Sequence, residues 1–449
     1  MTATHRAQSV RKLQRGLYQA AKSEKDRRFH SLYDKIYRPD VVKQAWEEVK
    51  ANRGAPGIDQ ESIEAIVAGG EEGFVAEVEK QLRAKTYRPL AVRRVYIPKP
   101  RGGQRPLGIP AIVDRVAQTA TRLVSEPIFE ADFHACSYGY RPRRSAMGCS
   151  LAMRESLYQG VHSVVEVDLK SYFDTVPHDK LMVLLRERIA DGAVLRQIWA
   201  WLKAGYIDVD GAHRQTERGV PQGSPLSPLL SNVYLNLLDR VWERRGYPER
   251  LGAQLYRYAD DMVLLCRGNP REALAHLAKV IERMGLELHP EKTRTVTVEQ
   301  GFDFLGYQFV RRRSPTTGRR TFYIFPAKES QKRIRQNIRN FTHRRAPIEP
   351  KEMFRRVNDT VRGWTNYHQH TNGSQAFRTL QRFINLRMRK YLSHRHHRRG
   401  PGWRRYPNAA LYQMGLIYIG SGRLKYTMKA SQMNDSRTAG FGKTERPVG

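Results

Sequence analysis

Hydrophobic and polar residues follow two different periods along this chain. Apolar residues recur at helical spacing within residues 1–50 and 63–82, which predicts helices there. Asp114 is expected to begin a further helix as its capping residue. The segments 92–110 and 254–266 instead hold paired short apolar runs around a polar tip, which predicts two β-hairpins. Strands and helices are thus mixed in the first part of the chain.

This mixture gives way to helices alone near residue 325. The change predicts an α+β body over residues 1–325 and an α-helical domain over residues 326–405. Residues 406–449 are polar and rich in glycine. They are expected to form a short tail that either is disordered or binds DNA.

Positive charge dominates the composition. The chain has 79 Lys and Arg residues against 44 Asp and Glu residues, a net charge of +35. Residues 311–400 hold 24 basic and 4 acidic residues, so a fifth of the chain carries over half of the excess. Nucleic acid is the commonest polyanion that neutralises such a chain. Charge alone also fits a ribosomal or membrane-surface protein, but it argues against an enzyme that acts only on small molecules.

Cysteine usage and hydrophobicity indicate the compartment. Cys136, Cys149 and Cys266 form no CxxC pair, so neither a disulfide framework nor a cysteine-based zinc site is predicted. The N-terminus lacks an apolar signal segment, and no stretch is long and apolar enough to span a bilayer. These features predict a cytoplasmic protein with reduced thiols and no membrane partner.

Three aspartates are candidates for a metal site. Asp168 ends an apolar, valine-rich strand, and Asp260 and Asp261 are adjacent at a hairpin tip between apolar runs. A single aspartate in such a place is usually a turn or capping residue. Two adjacent carboxylates repel each other unless a cation lies between them, and Mg²⁺ prefers hard oxygen ligands. The pattern therefore favours a divalent-metal site that serves phosphoryl transfer.

Short motifs surround these aspartates in a fixed order. YADD (Tyr258–Asp261) resembles the YxDD motif of reverse transcriptases. The motifs around it are, in order, IPKPRGGQRPLGIP, SYGYRPRRSA, VDLKSYFDTVPHDKL and RGVPQGSPLSPLLSNVYLNLLD upstream, then LHPEKT and FDFLGYQF downstream. Together they resemble the fingers and palm motifs of group II intron-encoded reverse transcriptases, also called maturases. The resemblance covers about residues 28–400.

The resemblance implies a right-hand polymerase, in which the fingers and palm of a reverse transcriptase precede an α-helical thumb or maturase (X) domain. The implied activity is that of an RNA-directed DNA polymerase, a nucleotidyltransferase. Asp168, Asp260 and Asp261 would be its catalytic residues and would bind two Mg²⁺ ions, with the Leu169 carbonyl as an extra ligand. Mn²⁺ is the alternative ion.

The same resemblance assigns residues to the incoming deoxynucleoside triphosphate. Lys99 and Arg105 would contact its phosphates from the fingers, although each also fits an ordinary solvated charge. The Phe173 ring would lie under the sugar and exclude a 2′-hydroxyl, a role that is compatible with packing in the core. Gln222 would support the nucleotide or template, and Lys292 would approach the leaving pyrophosphate unless it is simply a surface lysine.

Residues after the palm would hold nucleic acid. The FLGY motif would place the primer end through Phe304, Leu305, Gly306 and Tyr307. The segment VRGWTNYHQH and the helix after it resemble the maturase domain, which binds intron RNA and assists splicing. The contacts predicted there are Arg362, Trp364, Arg387, Arg389 and Lys390. The aromatic residues of this region also recur at helical spacing, which is typical of a helical core.

The implied function is to copy group II intron RNA, held as a ribonucleoprotein, into target DNA during retrohoming. The protein would act in the bacterial cytoplasm, at the nucleoid when it acts on DNA. No cysteine follows Cys266, so the HNH endonuclease domain of many family members is expected to be absent. Two alternatives stay open: an RNA splicing chaperone whose polymerase is idle, and a domesticated reverse transcriptase that serves host defence or repair.

Overall fold

The computed structural model describes residues 3–98, 102–343, 346–395, 400 and 402–420. The chain divides into two compact units. The first joins the chain up to Cys149 with His162–Thr295, and the second joins Ser150–Val161 with the chain from Val296 onward. Each unit is therefore built from two separate stretches of sequence.

Helices and strands are mixed up to residue 326, after which helices follow. In chain order the helices are α1 (Ala3–Ser23), α2 (Tyr33–Ile36), α3 (Pro39–Ala51), α4 (Ile63–Ala84), α5 (Ile112–Glu130), α6 (Ala146–Leu157), α7 (Tyr172–Thr175), α8 (His178–Arg186), α9 (Gly192–Lys203), α10 (Ser227–Arg244), α11 (Tyr247–Arg250), α12 (Pro270–Arg283), α13 (Lys328–Phe341), α14 (Pro350–His368), α15 (Ser374–Arg395) and α16 (Asn408–Gln413). The strands are β1 (Val92–Pro98), β2 (Gln104–Ile109), β3 (Ser163–Val167), β4 (Tyr206–Ile207), β5 (His213–Arg214), β6 (Ala253–Tyr258), β7 (Asp261–Cys266), β8 (Arg294–Thr297), β9 (Phe302–Phe304), β10 (Tyr307–Arg313) and β11 (Arg320–Pro326). Both predicted hairpins and the predicted early helices are present. None of the helices in the described ranges combines the length and apolar character that crossing a bilayer requires.

A central helix, α5, organises the core of the first unit. It is buried along most of its length, and α1 and α3 pack against it. α1 turns Val10, Leu17 and Ala21 inward at helical spacing, while α3 contributes the fully buried Trp46. Burying each large apolar side chain contributes roughly 1.5–3 kcal/mol. The basic N-terminal helix is thereby an integral part of this unit.

Asp114 does not cap α5, so this prediction was wrong. The helix begins earlier, at Ile112, with Ala111 in the capping position. The Asp114 carboxylate is buried in the first turn and accepts hydrogen bonds from the Tyr87 hydroxyl and the Leu90 amide. Burial raises its pKa to about 6. The residue therefore fastens the loop that leads into β1 rather than the end of the helix.

Two sheets lie in the part of the chain that resembles fingers and palm. The order β2-β1-β4-β5 forms one sheet. Residues 99–101, between β1 and β2 in the sequence, lie outside the described residues. The order β6-β7-β3-β8 forms the other, which we call the palm sheet. α12 packs against β3 and β7. The near-complete burial of β3 and β7 explains their continuous apolar runs.

The second unit joins a small sheet to helices. Its strand order is β11-β10-β9. The Ala327 amide donates to the Gly306 carbonyl at 2.9 Å, and the Asn372 amide donates to the Ile324 carbonyl at 2.7 Å. Because these bonds tie the sheet to the helices, the compact unit begins at Val296 rather than at the boundary predicted near residue 325.

Residues 406–420 contribute buried side chains to the core of the second unit. Leu411, Leu416 and Ile419 are buried there, together with residues of α14 and α15. The segment predicted to be a disordered or DNA-binding tail is therefore packed as far as residue 420. Residues 421–449 lie outside the described residues.

Candidate active site

Strand register brings the three predicted catalytic aspartates to one edge of the palm sheet. β3 and β7 are antiparallel with Val167 opposite Met262, so the next position sets Asp168 opposite Asp261. Opposed residues in such a pair have Cβ atoms about 5 Å apart. Asp260 is the second residue of the two-residue turn between β6 and β7. The short turn between β6 and β7 and the register of β3 with β7 thus bring three carboxyl groups from two places in the sequence to one edge of the sheet.

The carboxylates make this edge strongly electronegative. Desolvation by the surrounding protein raises the pKa of Asp261 to about 6, and the charges of Asp260 and Asp168 add to the rise. Desolvation, followed by the charge of Asp168, also raises the pKa of Asp260. A divalent cation would relieve this repulsion, because it favours the ionised form of each ligand.

Lys292 is the cation that faces Asp168. Its Nζ lies 3.3 Å from Asp168 Oδ1, and the two side chains are 57% and 33% exposed. Across the described residues, no three His, Cys, Asp or Glu side chains are grouped as a ready-made metal site. The donors are nevertheless hard carboxylate oxygens, and Mg²⁺ typically uses only one or two of these plus waters and substrate phosphates. The donor chemistry therefore fits Mg²⁺ or Mn²⁺.

Leu169 has a backbone orientation that bears on its predicted role. It forms an isolated bridge with Leu288, in which the Asp168 carbonyl accepts from His289 and the Lys170 amide donates to Glu287. In an antiparallel bridge of this type, the carbonyl of the central residue points away from the partner segment. The Leu169 carbonyl thus faces away from Leu288, and its part as a metal ligand stays a prediction.

Arg105 lies within electrostatic reach of the aspartates. It is exposed on β2, and its positive charge opposes the rise in the pKa of both Asp260 and Asp261. The structure therefore brings this predicted phosphate contact to the same site. Lys99, its predicted companion, lies outside the described residues.

Phe173 and Gln222 line one pocket of about 330 Å³. The Gly108 amide of β2 donates to the Gln222 carbonyl at 2.7 Å, which fixes the PQG turn against β2. Gly223 has φ +118°, and a Cβ there would lie 2.4 Å from the Gly108 carbonyl oxygen. Only glycine fits this approach. Phe173 and Gln222, the two predicted nucleotide contacts, thus line the same pocket, and the backbone of β2 and of the PQG turn lies beside them.

The FLGY segment forms a tight hairpin in the second unit. Leu305 and Gly306 have φ +51° and +76°, as a two-residue turn with both positions left-handed requires. Tyr307 is buried, stacks on Tyr367 at 5.0 Å and donates to the Tyr367 carbonyl at 2.8 Å. The Tyr367 hydroxyl in turn donates to the Leu305 carbonyl at 2.7 Å. α14 therefore holds this turn rigidly, while its contact with a primer stays a prediction.

Several residues predicted to contact RNA are used inside the second unit instead. Trp364 packs against His368 and donates to Ser330 Oγ at 3.1 Å. Arg387 donates to Thr342. Arg389 is 2% exposed and donates to the Tyr406 carbonyl at 2.7 Å. The prediction of a direct RNA contact by Arg389 was wrong, because its side chain is buried and donates to Tyr406 and Asn408.

The exposed cations of the second unit lie elsewhere on its helices. Of the predicted contacts, Lys390 is exposed, and Arg362 is half-buried and ion-paired to Asp359 at 3.0 Å. The sequence interpretation missed exposed cations on the polar faces of α13 and α15, among them Lys332, Arg333, Arg378 and Arg382. Helix periodicity could have found them, because Ile334, Ile338 and Leu380 mark the buried faces.

Acid is expected to weaken the second unit through His368. Its Nε2 lies 3.0 Å from Ser330 Oγ, and burial lowers its pKa to about 4, with the charges of His370 and Arg333 adding to the effect. An unfolded histidine has a pKa of about 6.5, so between about pH 4 and 6.5 the unfolded chain binds more protons. Stability is therefore present above this window and is lost as pH falls through it, by at most about 3 kcal/mol.

Chemical unfolding at about pH 7.5 and pH 4.5 measures this effect. The His368→Gln variant keeps a hydrogen-bonding side chain that does not titrate. The free energy of unfolding of His368→Gln should lie below that of the native chain, and this difference should be smaller at the lower pH. His276, a half-buried histidine of α12, supplies the control: the difference between His276→Gln and the native chain should not become smaller. If His368→Gln lost the same free energy of unfolding at both pH values, His368 would not be the cause of the loss of stability in acid.

Sequence reasoning also missed the buried support of the turn between β6 and β7. Arg257 on β6 is fully buried and pairs with Asp239 of α10 at 2.5 Å. Its signal in the sequence was an arginine inside the apolar run of a hairpin strand. A charge in that position needs a buried partner, but the pattern does not say which residue supplies it.

Comparison with known proteins decides the family. Residues 97–309 match "Reverse transcriptase (RNA-dependent DNA polymerase)", and residues 331–408 match "Group II intron, maturase-specific domain". Protein YkfC of Escherichia coli (strain K12) is 35% identical over 345 residues, which cover 68% of this chain and 89% of that protein. The chain belongs to the group II intron reverse transcriptase/maturase family. This reverse transcriptase is accordingly an RNA-directed DNA polymerase, and the predictions of family, activity and α+β fold are confirmed.

Other relatives match the reverse transcriptase over part of their length. Group II intron-encoded protein LtrA of Lactococcus lactis subsp. cremoris is 29% identical over 362 residues, covering 66% of this chain but only 59% of that protein. Among solved structures, the "Partial Cas6-RT-Cas1--Cas2 complex" is 27% identical with a TM-score of 0.36, covering 57% of this chain and 41% of that one.

Proposed function

We propose that this reverse transcriptase is encoded by a group II intron, copies the intron RNA into DNA by two-metal phosphoryl transfer, and binds that RNA to assist splicing and retrohoming. The convergence of Asp168, Asp260 and Asp261 at one sheet edge is the observation that carries the polymerase mechanism. The match to the maturase-specific domain supports the intron partner. Target DNA and deoxynucleoside triphosphates are the other partners, in the bacterial cytoplasm and at the nucleoid.

The aspartates would hold two Mg²⁺ ions, or Mn²⁺ in their place, with the Leu169 carbonyl as a further donor. When bound, the ions activate the primer 3′-hydroxyl and stabilise the charge on the transferring phosphate. Lys292, whose ion pair with Asp168 is open to solvent, can turn from that carboxylate to the pyrophosphate. Arg105 contributes a second positive charge beside the site, and Lys99 is proposed to act with it.

The pocket that Phe173 and Gln222 line suits a deoxynucleotide. Phe173 forms one wall with a rigid ring, and Gln222 forms another beside β2. An aromatic wall under the sugar would collide with a 2′-hydroxyl and leave a 2′-hydrogen undisturbed. This geometry supports the copying of RNA into DNA rather than into RNA.

The second unit offers a surface for the intron RNA. Exposed Lys332 and Arg333 on α13, with Arg378, Arg382 and Lys390 on α15, lie on two helices that contact each other. Lysine and arginine bind phosphates largely without reading the base sequence. Folded RNA is held mainly through shape and phosphates, as such a surface would do.

A splicing assay tests the intron assignment. The RNA that flanks the coding region would be transcribed and incubated at low Mg²⁺, with and without the protein. We expect splicing to require the native chain and to weaken when Lys332, Arg333, Arg378 and Arg382 are changed together to glutamine. Primer extension without any effect on the flanking RNA would favour a domesticated reverse transcriptase for defence or repair. Splicing without primer extension would favour the idle-polymerase chaperone.

A further inference from the structure

Arg257 is a buried charge that sits next to the catalytic turn. It precedes the turn residues Ala259 and Asp260 by two and three positions. Arg257 is 0% exposed and Asp239 is 1% exposed. Burying such a pair costs desolvation energy, and well-packed apolar residues often replace it without loss of stability. Stability alone therefore does not account for this pair, and its further contacts become informative.

The guanidinium group reaches three partners in two directions. Nε and Nη2 donate to the Asp239 carboxylate at 2.9 and 2.5 Å. Nη1 donates to Asn232 Oδ1 and to the Ala259 carbonyl, each at 3.0 Å. Asp239 and Asn232 both belong to α10. One planar fork thus binds the backbone of the turn to a buried helix.

The turn is also held by the segment 136–140. Asn232 Nδ2 donates to the Gly139 carbonyl at 2.8 Å. A Cβ on Gly139 would lie 2.3 Å from the Ala259 nitrogen, so the two backbones are in direct contact. The Arg257 amide also donates to the Cys136 carbonyl at 2.9 Å. The same network therefore ties the turn both to α10 and to the segment 136–140.

The turn needs such a clamp because its backbone is strained. Ala259 has φ +55°, a left-handed conformation that costs a residue with a side chain roughly 1–2 kcal/mol. Without outside support, the turn would relax toward other conformations. Asp260 and Asp261 directly follow Ala259 and would move with it. The bond from Arg257 to the Ala259 carbonyl opposes this relaxation.

We propose that Arg257, held by Asp239 and Asn232, is a positioning residue that sets Asp260 and Asp261 in place to bind divalent cations. The proposal rests on the proposed metal site of this polymerase. It adds that the affinity for metal depends on a network that touches neither metal nor substrate. Residues that orient ligands in this way typically alter metal affinity about 10- to 100-fold when they are changed.

Metal binding measured without catalysis tests the proposal. Arg257→Lys keeps the charge but loses the fork that reaches three partners at once. The full chain is titrated with Mn²⁺, and the free ion is measured by electron paramagnetic resonance. The Mn²⁺ dissociation constant of Arg257→Lys should be at least about tenfold higher than that of the native chain. The Mg²⁺ concentration for half-maximal primer extension should rise in parallel. Excess metal should recover part of the rate.

Arg188→Lys is the matched control. Arg188 is also buried in the first unit, binds Asp132 at 3.0 Å and donates to the Ala21 carbonyl at 2.6 Å, but it does not contact the turn. It should lower thermal stability without altering Mn²⁺ affinity. Equal Mn²⁺ affinity in the native and Arg257→Lys chains would overturn the proposal.

Asn232→Ala keeps the test decisive if Arg257→Lys does not fold. This variant keeps the Arg257–Asp239 pair and the bond from Arg257 to the Ala259 carbonyl, and it removes the two bonds that Asn232 makes, to Arg257 Nη1 and to the Gly139 carbonyl. We expect it to fold and to bind Mn²⁺ at least about threefold more weakly, a part of the full effect. Native Mn²⁺ affinity in a folded Asn232→Ala chain would overturn the proposal. If the native chain bound Mn²⁺ but failed to extend any primer, the proposed function would fail, while the role of Arg257 would still be decided by the binding data.

Discussion

Primer extension on an RNA template should fall at least about a thousandfold when Asp260 or Asp261 is changed to asparagine. The two residues lie at the edge of the palm sheet where Asp168 faces Asp261 across β3 and β7. A neutral amide holds Mg²⁺ less well than a carboxylate, and metal ions supply several kcal/mol of stabilisation to the transferring phosphate. Single-nucleotide incorporation with enzyme in excess measures this step directly.

The same substitutions should stabilise the metal-free protein. Desolvation and neighbouring carboxylates raise the pKa of Asp261 to about 6, so between about pH 4 and 6 the folded chain binds more protons than the unfolded chain. That contribution to stability is present at low pH and is lost as pH rises through 6. At neutral pH without divalent ions, Asp261→Asn should therefore melt at a higher temperature than the native chain. The difference in melting temperature between Asp261→Asn and the native chain should become smaller toward pH 5.

Asp179→Asn is the matched control for both measurements. Asp179 is exposed on α8 of the same unit. Its substitution should leave the extension rate and the melting temperature nearly unchanged. If folded Asp260→Asn and Asp261→Asn chains extended a primer within about tenfold of the native rate, these aspartates would not form the metal site.

Replacing Phe173 by alanine should lower the preference for deoxynucleotides over ribonucleotides at least about tenfold. Phe173 is half-buried, packs edge-on against Tyr172 at 5.4 Å, and lines the pocket that contains Gln222. Removing the ring opens space for a 2′-hydroxyl, and steric differences of this size are worth roughly 1–3 kcal/mol. The ratio of kcat/KM for dGTP and GTP on one template gives the selectivity.

Two further variants separate selection from packing. Phe74→Ala removes a partly buried ring of the same unit, which packs against Trp46 at 5.1 Å, and it should leave selectivity unchanged. Phe173→Tyr keeps a ring and should keep the preference. An active Phe173→Ala enzyme with native selectivity would assign Phe173 to core packing alone.

The sequence predicted those features that depend on local pattern. The helices of residues 1–50 and the two hairpins follow from spacing, because side chains repeat every 3.6 residues in a helix and every two in a strand. Asp260 and Asp261 could be found because a two-residue tip between apolar strands leaves them at the edge of a sheet. Even Asp168 opposite Asp261 follows once β3 and β7 are neighbours.

Features that depend on distant partners could not be predicted. Arg389 stands in a run of basic residues, yet it is buried because Tyr406 and Asn408, outside its own helix, accept its hydrogen bonds. Asp114 has the position and chemistry of a helix cap, but its carboxylate instead accepts a hydrogen bond from the Tyr87 hydroxyl. In both cases the local pattern leaves open whether a charge faces water or a buried partner, and tertiary packing decides.

The interruption of the first unit by Ser150–Val161 has a consequence for synthesis on the ribosome. This segment packs within the second unit, where Tyr158 donates to the Phe322 carbonyl 164 residues later. At about 5–20 residues per second, it waits roughly ten to thirty seconds for that partner to emerge. Met153 and Leu157, buried in the finished protein, have no second-unit core to join during this interval. A truncation after Thr295 would keep all of the first unit but would leave Ser150–Val161 without the rest of its own unit, and no single truncation isolates the second unit.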